Sequence, residues 1–446
     1  MNYLEISRRC LIGLEECINR NQGESYVRDS VLRRFIVMSA SVLFLILSTG
    51  CSEKRETIKI GFLDPLSGPF ALVGEHILRE VQLFADAINA RGGVLGGKEL
   101  EIIRFDGKGN PQESLIAFKQ LVDQNISFML QGNSSAVANA LTEAVLKHNQ
   151  RNRDDRVLYL NYGAVDPALT NDRCNFWHFR FDADATMKMR AITAHIADDT
   201  SVKKVYLLNQ DYGFGHAISS LSREMLGTLR PDIEIVGDDF HQLAKIKDFA
   251  PYVSKIRSSG ADTVITGNWG SDLSLLVRAA KEAGLDVTFY TQYAGIVGAI
   301  SAMGEAAEGK VKQVSGWHVN AGGVVSDRLA SAYLDRFPEA GDDLFFISTM
   351  HALEMLVRSI DAANTTEVQE VARQLETMTY EGPTGVVSMR ADNHQLSQPL
   401  YISTFVNVQD EKLSFDIEST GIGPKTDAIV LAEDLNVPTT CEMERP

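Results

Sequence analysis

The chain contains 446 residues with a formal net charge of −16 at pH 7, and its 44% hydrophobic and 23% charged residues are typical of a soluble globular protein. One hydrophobic core rarely organises a chain of this length, so we expect two domains. The acidic balance excludes a nucleic-acid partner, because binding to phosphates requires clustered Lys and Arg residues.

Residues 58–131 predict the beginning of a parallel β-sheet, because apolar strand patterns alternate with helices that are apolar on one face. The predicted elements are strand 58–63, helix 74–90, strand 99–105, a helix that includes residues 115–122, and strand 128–130. This alternation favours right-handed crossovers between parallel strands. Ligands of such sheets bind beyond the carboxyl ends of the strands, so we expect function in the turns there.

The alternation continues and then begins again. The first series ends with helix 135–149, strands 157–160 and 177–180, and helix 185–196. The second series contains strand 204–208, a helix that ends at residue 229, strand 233–240, helix 249–258, strand 263–266, helix 271–283 and strand 288–290. Two successive parallel sheets without sequence repeats predict an α/β fold with two doubly wound lobes.

The C-terminal part predicts several crossings between the lobes. Helical patterns cover residues 326–337, 345–363 and 367–378, and hairpin strands are expected within residues 386–415. These helices have no strands of their own to cover, so we expect a return to the first lobe near residue 317 and an end in the second lobe. The predicted lobes, joined by a multi-strand hinge, are residues 58–178 with 318–398 and residues 179–317 with 399–446.

The N-terminal region predicts export. Residues 35–47 are uncharged, mostly apolar and too few to span a bilayer, so we interpret residues 1–50 as a signal peptide. The leader before Val31 is unlike a targeting sequence, and a start codon assigned too far upstream would explain it. Gly50 and Cys51 resemble the bacterial lipobox, in which the cysteine is lipidated, although Ser48 stands where that pattern prefers Leu. Simple cleavage and release is the alternative.

Two cysteines remain when Cys10 and Cys17 of the leader and Cys51 of the lipobox are set aside. An exported protein meets an oxidising compartment. Cys174 and Cys441 therefore form a disulfide in one interpretation and are separate thiols in the other.

Motifs for catalysis are absent from the sequence. It contains no G-x-x-x-x-G-K-[ST] phosphate loop, no G-x-S-x-G nucleophile elbow and no H-E-x-x-H zinc pair. The nine histidines are scattered without metal-ligand spacing. We therefore expect no enzymatic activity, no metal and no other cofactor.

Small polar residues occupy the predicted strand-end turns of the first lobe. Asn133 and Ser134 precede a helix, where backbone N–H groups, the helix dipole and the Ser134 hydroxyl would hold a carboxylate. The structural alternative is that Ser134 or Ser135 caps the helix. In another turn, the small side chain of Ala164 would let a ligand approach the backbone.

Aromatic residues occupy the corresponding turns of the second lobe. Tyr212, Trp269 and Tyr293 each follow a predicted strand. Any one aromatic residue is more often part of the core, but three at successive strand ends indicate a site for an apolar group or an ammonium group.

These residues resemble the type I periplasmic solute-binding proteins of ABC transporters, specifically the leucine/isoleucine/valine-binding family. The resemblance covers residues 58–408, and the motifs that carry it are IKIG at 58–61, LSGP at 66–69, INARGG at 88–93, Asp106, GNSS at 132–135, AVDPALT at 164–170, DYG at 211–213 and AAKEAGL at 279–285. It implies two lobes that close on a ligand, delivery to a membrane permease, no catalysis and no cofactor.

The resemblance also implies roles for single residues. Ser134 matches the hydroxyl that holds the ligand carboxylate, Ala164 the backbone contact beside it, and Tyr212 and Trp269 aromatic positions of the second lobe. Two residues depart from the family pattern: Val165 stands where amino-acid binders commonly place Thr, and Tyr293 stands where branched-chain binders place a Glu for the ligand ammonium.

The loss of that acid removes a charge-assisted hydrogen bond of about 1.5–3 kcal/mol. The ligand is then a carboxylate or amide without an ammonium group, or an amine held by Asp211, Asp272 or an aromatic cage. Ser67, in the turn after the first strand, is a further candidate.

We therefore expect an exported, monomeric solute-binding protein of an ABC transporter, in the periplasm or on the outer face of the cytoplasmic membrane. It would be lipid-anchored at Cys51 and would bind a small polar metabolite, such as an amino acid, amide or carboxylate. The alternative is a periplasmic sensor of the same fold that signals to a membrane partner. Neighbouring permease and ATPase genes would favour transport, and a neighbouring histidine kinase gene would favour sensing.

Overall fold

The structure is a computed structural model that describes residues 56–446. The predicted signal peptide and Cys51 lie outside the described residues. Two compact units are distinguished in the chain. Among the described residues, the smaller comprises residues 56–58 together with Ala85–Glu101, and the larger comprises Lys59–Phe84 and Ile102–Pro446. Within the described residues, no helix is long and apolar enough to cross a membrane.

In the smaller unit, Asn89 closes the connection between a helix and the next strand. Its Nδ2 donates to the Leu100 carbonyl at 2.9 Å, and its Oδ1 accepts from the Leu100 N–H at 2.7 Å. Gly93 has a φ of 67°, and a Cβ there would come within 2.1 Å of the Lys98 carbonyl oxygen. The turn therefore requires glycine at this position.

The first sheet has five strands. They are β1 (Thr57–Asp64), β2 (Glu99–Asp106), β3 (Phe128–Gln131), β4 (Leu158–Asn161) and β5 (His178–Arg180), in the order β2-β1-β3-β4-β5. The pairs β1–β3, β3–β4 and β4–β5 are parallel. The helices between these strands are α1 (Ala71–Ala90), α2 (Pro111–Asp123) and α3 (Ser135–Arg151), and a 3-10 helix (Pro167–Thr170) precedes β5. We call these elements the first lobe.

A second series of strands and helices follows. Its strands are β6 (Lys204–Gln210), β7 (Glu234–His241), β8 (Thr263–Ile265), β9 (Thr288–Thr291) and β10 (Val311–Ser315). Its helices are α4 (Ala185–Asp198), α5 (Gly213–Leu229), α6 (Ala250–Ser259), α7 (Ser271–Glu282) and α8 (Ala299–Met303), followed by a 3-10 helix (Gly304–Ala306). The pairs β6–β7, β6–β8, β8–β9 and β9–β10 are parallel.

The C-terminal part adds helices and a small sheet before it completes the second sheet. The helices are α9 (Val324–Arg336), α10 (Ile347–Ala363), α11 (Val368–Leu375), α12 (Val408–Glu411) and α13 (Ala432–Leu435). The strands β11 (Thr379–Gly382), β12 (Gly385–Met389) and β13 (Leu396–Ser397) form an antiparallel sheet. The strands β14 (Leu400–Asn407) and β15 (Ile422–Val430) extend the second sheet to the order β15-β14-β10-β9-β8-β6-β7. We call this sheet, with α4–α8, the second lobe.

The central strands are buried, as expected for parallel sheets with both faces covered. Phe62 of β1, Leu130 of β3 and Leu160 of β4 are fully buried, as are Leu207 of β6 and Val264 of β8. This burial explains why these strands are continuous apolar runs that the sequence reveals. The fold class, two lobes of alternating strands and helices, agrees with the prediction.

Two strands of the second sheet were not predicted. β10 is short and contains Lys312 and Gln313, and β15 contains Pro424 and alternates with polar residues. Proline is compatible with β15 because this strand lies at the edge of the sheet, where a missing N–H costs no ladder hydrogen bond. Of the hairpin strands expected within residues 386–415, β12 and β13 pair antiparallel, whereas β14 pairs with β15, which lies beyond that range.

The C-terminal tail makes specific bonds to the first lobe, and the predicted lobe boundaries stay predictions. Residues 399–446 were assigned to the second lobe, but Thr439 Oγ1 donates to the Thr170 carbonyl at 3.0 Å, and Cys441 forms a disulfide with Cys174. Arg373 Nη2 donates to the carbonyl of Pro446 at 2.8 Å. The tail lacks an apolar period, and its position depends on these specific bonds, which no sequence pattern reveals.

The buried carboxyl group of Asp64 fixes the ends of three neighbouring strands. Asp64 closes β1, and its Oδ1 accepts from the Asn133 N–H at 3.1 Å and from Gln131 Nε2 at 3.2 Å. The Tyr162 hydroxyl donates to Asp64 Oδ2. Burial raises the pKa of Asp64 to about 7, although these hydrogen bonds favour the ionised form. The turns after β3 and β4 are therefore held by one group.

This pKa predicts that Asp64 contributes stability that is lost as pH rises. The folded protein keeps the Asp64 proton up to about pH 7, whereas the unfolded chain releases it near the ordinary value of 3.8. Between these values this group binds more protons in the folded state, so its contribution to the free energy of unfolding falls by up to about 1.4 kcal/mol per pH unit. We expect Asp64→Asn to remove this contribution from the pH dependence of stability, measured by chemical denaturation at a series of pH values.

Glu80, whose pKa burial raises to about 8, adds a slope of the same sign that the Asp64 variant keeps. The control is Asp410→Asn, which changes an exposed side chain. Equal slopes in Asp64→Asn and in the wild-type protein would contradict the prediction.

Candidate functional site

A partly open cavity, with about 380 Å³ of empty space when open solvent is included, lies at the carboxyl ends of strands from both sheets. Its lining comes from the turns after β3, β4, β6, β8 and β9. The lining residues are Gly132, Asn133, Ser134, Ser135, Gly163, Ala164, Val165, Tyr212, Phe214, Trp269, Tyr293 and Ile296. All seven of the foremost sequence candidates are among them: Asn133, Ser134, Ala164, Val165, Tyr212, Trp269 and Tyr293. The structure brings these residues together, and their ligand contacts stay predictions.

Ser134 precedes α3 in a backbone conformation that favours glycine, with φ 73° and ψ 117°. Its side chain makes no capping hydrogen bond to the first turn of α3. Capping was the structural alternative for this serine, so that alternative does not describe its side chain. Non-glycine residues in such conformations concentrate at functional sites, where surrounding contacts hold them.

The Ser135 side chain links α3 to a neighbouring turn. Its Oγ accepts from the Asp166 N–H at 3.3 Å and so joins the start of α3 to the turn after β4. The first-turn N–H groups of α3 have no partner within the helix, and the helix dipole places partial positive charge there. The start of α3 therefore suits an anionic oxygen.

The turns after β3 and β4 touch each other closely. A Cβ on Gly132 would lie 2.6 Å from the Tyr162 ring and 2.7 Å from the Gly163 nitrogen, so only glycine fits. The Tyr162 ring is fully buried and bonded to Asp64. The backbone that precedes Ser134 is therefore held by the close contact of Gly132 with the turn after β4 and by the hydrogen bond of the Asn133 N–H to Asp64.

Asn161, the last residue of β4, shapes the turn that contains Ala164. Its Oδ1 accepts from the N–H groups of Gly163 at 3.1 Å and Ala164 at 2.8 Å, and its Nδ2 donates to the Ala164 carbonyl at 2.9 Å. The Ala164 N–H is thus engaged within the turn. The carbonyl keeps a second lone pair, and the small side chain leaves room in the cavity.

Aromatic side chains form the opposite wall. Trp269 Nε1 donates to the Tyr212 hydroxyl at 3.0 Å, and the Tyr212 ring centroid lies 6.0 Å from that of Phe214. Burial raises the pKa of Tyr212, so it stays a neutral phenol. The Trp269 ring also lies 4.9 Å from Phe70, which follows β1. This pair joins the strand-end turns of the two lobes.

Tyr293 separates the cavity from a group of buried charges. Its hydroxyl donates to the Gly163 carbonyl at 3.3 Å and to Asp182 Oδ2 at 3.3 Å. Lys188 Nζ lies 3.2 Å from the same hydroxyl and 2.7 Å from Asp182 Oδ2. Burial lowers the pKa of Lys188, and the nearby Asp182 carboxylate opposes that effect. Burial also raises the pKa of the Tyr293 phenol.

No charged side chain occurs among the described residues that line the cavity. The polar groups at one end are a hydroxyl, an amide and backbone N–H groups at a helix start. The other walls are aromatic or aliphatic. The site can therefore hold an anionic head at α3 and an apolar body against the rings, without a carboxylate to balance an ammonium group.

The second-tier candidates lie outside this lining. Ser67 is exposed, and its Oγ donates to Asp106 Oδ2 at 2.5 Å. Asp211 is exposed and pairs with His216 at 2.8 Å. Asp272 is buried, and its Oδ2 accepts from Gln210 Nε2 and the Ala244 N–H, each at 2.8 Å. These bonds stabilise turns near the cavity.

Sequence reasoning did not select several residues at the site. Phe214 and Ile296 line the cavity, and Phe70 supports Trp269. Phe214 and Phe70 stand one or two positions from selected motifs, so their proximity in sequence was a usable signal. Lys188 of α4 and Asp182, which lies between β5 and α4, also contact Tyr293. Their positions in the sequence do not predict this contact.

No group of three or more His, Cys, Asp and Glu side chains among residues 56–446 is arranged to hold a metal ion. The buried titratable groups at the site, Asp64 and the pair of Lys188 and Asp182, are engaged in hydrogen bonds. They serve to position turns and Tyr293.

Comparisons with known proteins show the family of this chain. Residues 57–411 match the model of a family described as periplasmic binding protein. The chain is 31% identical over 375 residues to the Leu/Ile/Val-binding protein homolog 4 of Brucella melitensis biotype 1, which covers 83% of this chain and 89% of that relative. It is 26% identical over 339 residues to the leucine-, isoleucine-, valine-, threonine-, and alanine-binding protein of Pseudomonas aeruginosa, covering 75% and 86%.

A solved structure supports the same relation. The closed conformation of the leucine-, isoleucine-, valine-, threonine-, and alanine-binding protein from Brucella ovis aligns with a TM-score of 0.77 and 29% identity, over 88% of this chain and all of that one. Such relatives are solute-binding proteins and not enzymes, in agreement with the prediction. The chain belongs to the periplasmic binding protein family, with the Leu/Ile/Val-binding proteins among its relatives.

Proposed function

We propose that this protein is the solute-binding component of an ABC transporter and that its ligand is a small carboxylate with an apolar body. The observation that carries the proposal is a cavity that combines an uncapped helix start at Ser134 with aromatic walls and no charged lining residue. The carboxylate would lie against α3 and accept from the Ser134 hydroxyl. The body of the ligand would pack between Tyr212, Trp269 and Tyr293.

A zwitterionic amino acid is a poorer ligand in this proposal. An ammonium group needs a carboxylate or several acceptors when it is desolvated. Asp182 is nearby, but Lys188 already pairs with it at 2.7 Å. The relatives named for leucine, isoleucine and valine therefore support the family of this chain, but we do not propose their ligands for it.

Closure of the two lobes on the ligand would supply the signal to a membrane permease. The ring contact between Phe70 and Trp269 and the hydrogen bond from Tyr293 to the Gly163 carbonyl both join the lobes. A ligand that adds contacts to both walls would favour the closed state by its differential affinity. A sensor of the same fold would use the same closure, and neighbouring genes distinguish the two roles.

The first prediction of this proposal concerns Ser134. We expect Ser134→Ala and Ser134→Gly to weaken carboxylate binding about ten- to hundredfold, since both remove a hydrogen bond to a charged group. The two variants differ in stability: glycine adopts the positive φ without steric cost, so Ser134→Gly raises the melting temperature and Ser134→Ala does not. Calorimetric titration with carboxylates selected by a thermal-shift screen, and thermal unfolding, measure both effects. Unchanged affinity in both variants would remove this hydroxyl from the site.

The second prediction concerns Trp269. Trp269→Ala removes one wall of the cavity and the contact with Phe70, and we expect about a tenfold or greater loss of affinity for the same carboxylates. Trp269→Phe keeps a ring at the position and retains most of the affinity. Trp177→Phe is the control, because Trp177 is buried away from the cavity lining. Equal affinities for Trp269→Ala and the control would contradict the proposed wall.

The third prediction concerns Cys51, which we propose to be lipidated in the mature protein at the outer face of the cytoplasmic membrane. Cells expressing the full chain should incorporate labelled palmitate into it, and Cys51→Ala should abolish the label and release the protein from the membrane fraction. Intact mass of the mature N terminus checks the cleavage position. An unlabelled wild-type protein cleaved at another residue would show simple export instead.

A further inference from the structure

A second cavity, with about 330 Å³ of empty space when open solvent is included, lies behind Tyr293, and we call it the inner compartment. Its polar lining side chains include Asp182, Lys188, Gln292, Ser315 and Gln398. Tyr293 lines both cavities. Its ring centroid is 6.1 Å from Phe214 on the outer side and 6.3 Å from Phe346 on the inner side. Tyr293 is therefore the residue that the described linings of the inner compartment and the proposed ligand cavity share.

Gln292 presents unsatisfied hydrogen-bonding groups to the inner compartment. Its side chain is only 1% exposed, and neither Nε2 nor Oε1 has a partner among the described residues. The Ser315 hydroxyl, on the neighbouring strand β10, is likewise buried and without a partner there. A buried amide without partners costs free energy, so native proteins rarely leave one unpaired. These groups would be satisfied by a molecule that both donates and accepts hydrogen bonds.

The charges in the inner compartment restrict which chemical groups of that molecule can bind there. Lys188 and Asp182 form a close pair at 2.7 Å, so together they contribute no net charge. A second carboxylate or an ammonium group would have to displace one partner of this pair. A neutral group with a donor and an acceptor, such as a hydroxyl or a carboxamide, pairs with Gln292 and Ser315 without that loss.

We propose that the inner compartment binds a neutral hydrogen-bonding group at the far end of the ligand, opposite the carboxylate. This inference rests on the proposed carboxylate site and adds the requirement for a distal hydroxyl or carboxamide. The ligand reaches the compartment when the Tyr293 side chain turns aside, and the Tyr293 hydroxyl gives up its bonds to the Gly163 carbonyl and Asp182. The distal group is then recognised by Gln292 and Ser315, and the carboxylate by Ser134.

The test compares matched acids of increasing length on the full mature protein. The probes are benzoate, phenylacetate and 3-phenylpropionate, each with its para-hydroxy and para-carboxamide counterparts. At one length at least, we expect the wild-type protein to bind a para-substituted acid about tenfold more tightly than the unsubstituted one. Gln292→Leu and Ser315→Ala should reduce this preference and leave the affinity for the unsubstituted acid within about twofold.

The matched control is Ser403→Ala. Ser403 is fully buried with an unpartnered hydroxyl, like Ser315, but it lies on β14 outside both cavities. We expect this variant to keep the wild-type preference. A preference that falls equally in Ser403→Ala and Ser315→Ala would overturn the proposal.

Two further outcomes separate this inference from the proposed function. If the unsubstituted acids bind in a manner that requires Ser134 but no para substituent improves affinity at any length, the inner compartment holds only water and the inference fails alone. If none of the acids binds the wild-type protein, the carboxylate site and the distal subsite fail together.

Discussion

The site depends on one buried carboxyl group. Asp64 ends the first strand of the sheet and receives hydrogen bonds from the Asn133 backbone, the Gln131 amide and the Tyr162 phenol. These partners belong to the turns that follow two neighbouring strands. Because parallel strands end at the same edge, a single side chain can hold both turns there. Without this bond network, the positive φ of Ser134 and the close approach of Gly132 to Tyr162 would have no support.

Electrostatics at the cavity then follow from the backbone more than from side chains. The helix α3 begins there without a side-chain cap. The start of α5 also lacks a side-chain cap, and the Asp166 carboxylate lies near it, since its Oδ2 would be 3.7 Å from a Cβ on Gly213. The same Oδ2 accepts from Asn139 Nδ2 of α3 at 2.8 Å. The N–H groups at the start of α3 border the cavity and suit an anionic group of a ligand. This arrangement favours one anionic group at one wall and apolar contact elsewhere, which is a stricter requirement than a general affinity for polar metabolites.

The sequence predicts the parts of the molecule that obey local rules. Buried parallel strands are apolar runs and helices repeat on one face, so the alternation and the strand-end turns can be located, and the seven foremost candidates meet at one cavity. The features that the sequence does not predict depend on contacts between residues far apart in the chain. β15 is an edge strand with a proline, and the tail is held by Cys441 and Thr439 on the first lobe. Lys188 reaches Tyr293 over 105 residues of chain, a contact that no spacing reveals.

Tyr293 places an uncharged hydrogen-bonding group in the linings of both cavities. At the position where the resemblance places an acid in branched-chain binders, a phenol supplies a hydrogen bond without charge. The nearby acid, Asp182, is paired with Lys188, and the Tyr293 hydroxyl forms hydrogen bonds with both side chains. The outer cavity has no charged residue in its described lining, and the charges behind Tyr293 form a balanced pair. A pair that is balanced and bonded can remain buried, whereas a lone lysine or aspartate at the same place could not. The uncharged wall in front of the ring and the polar space behind it therefore meet at Tyr293.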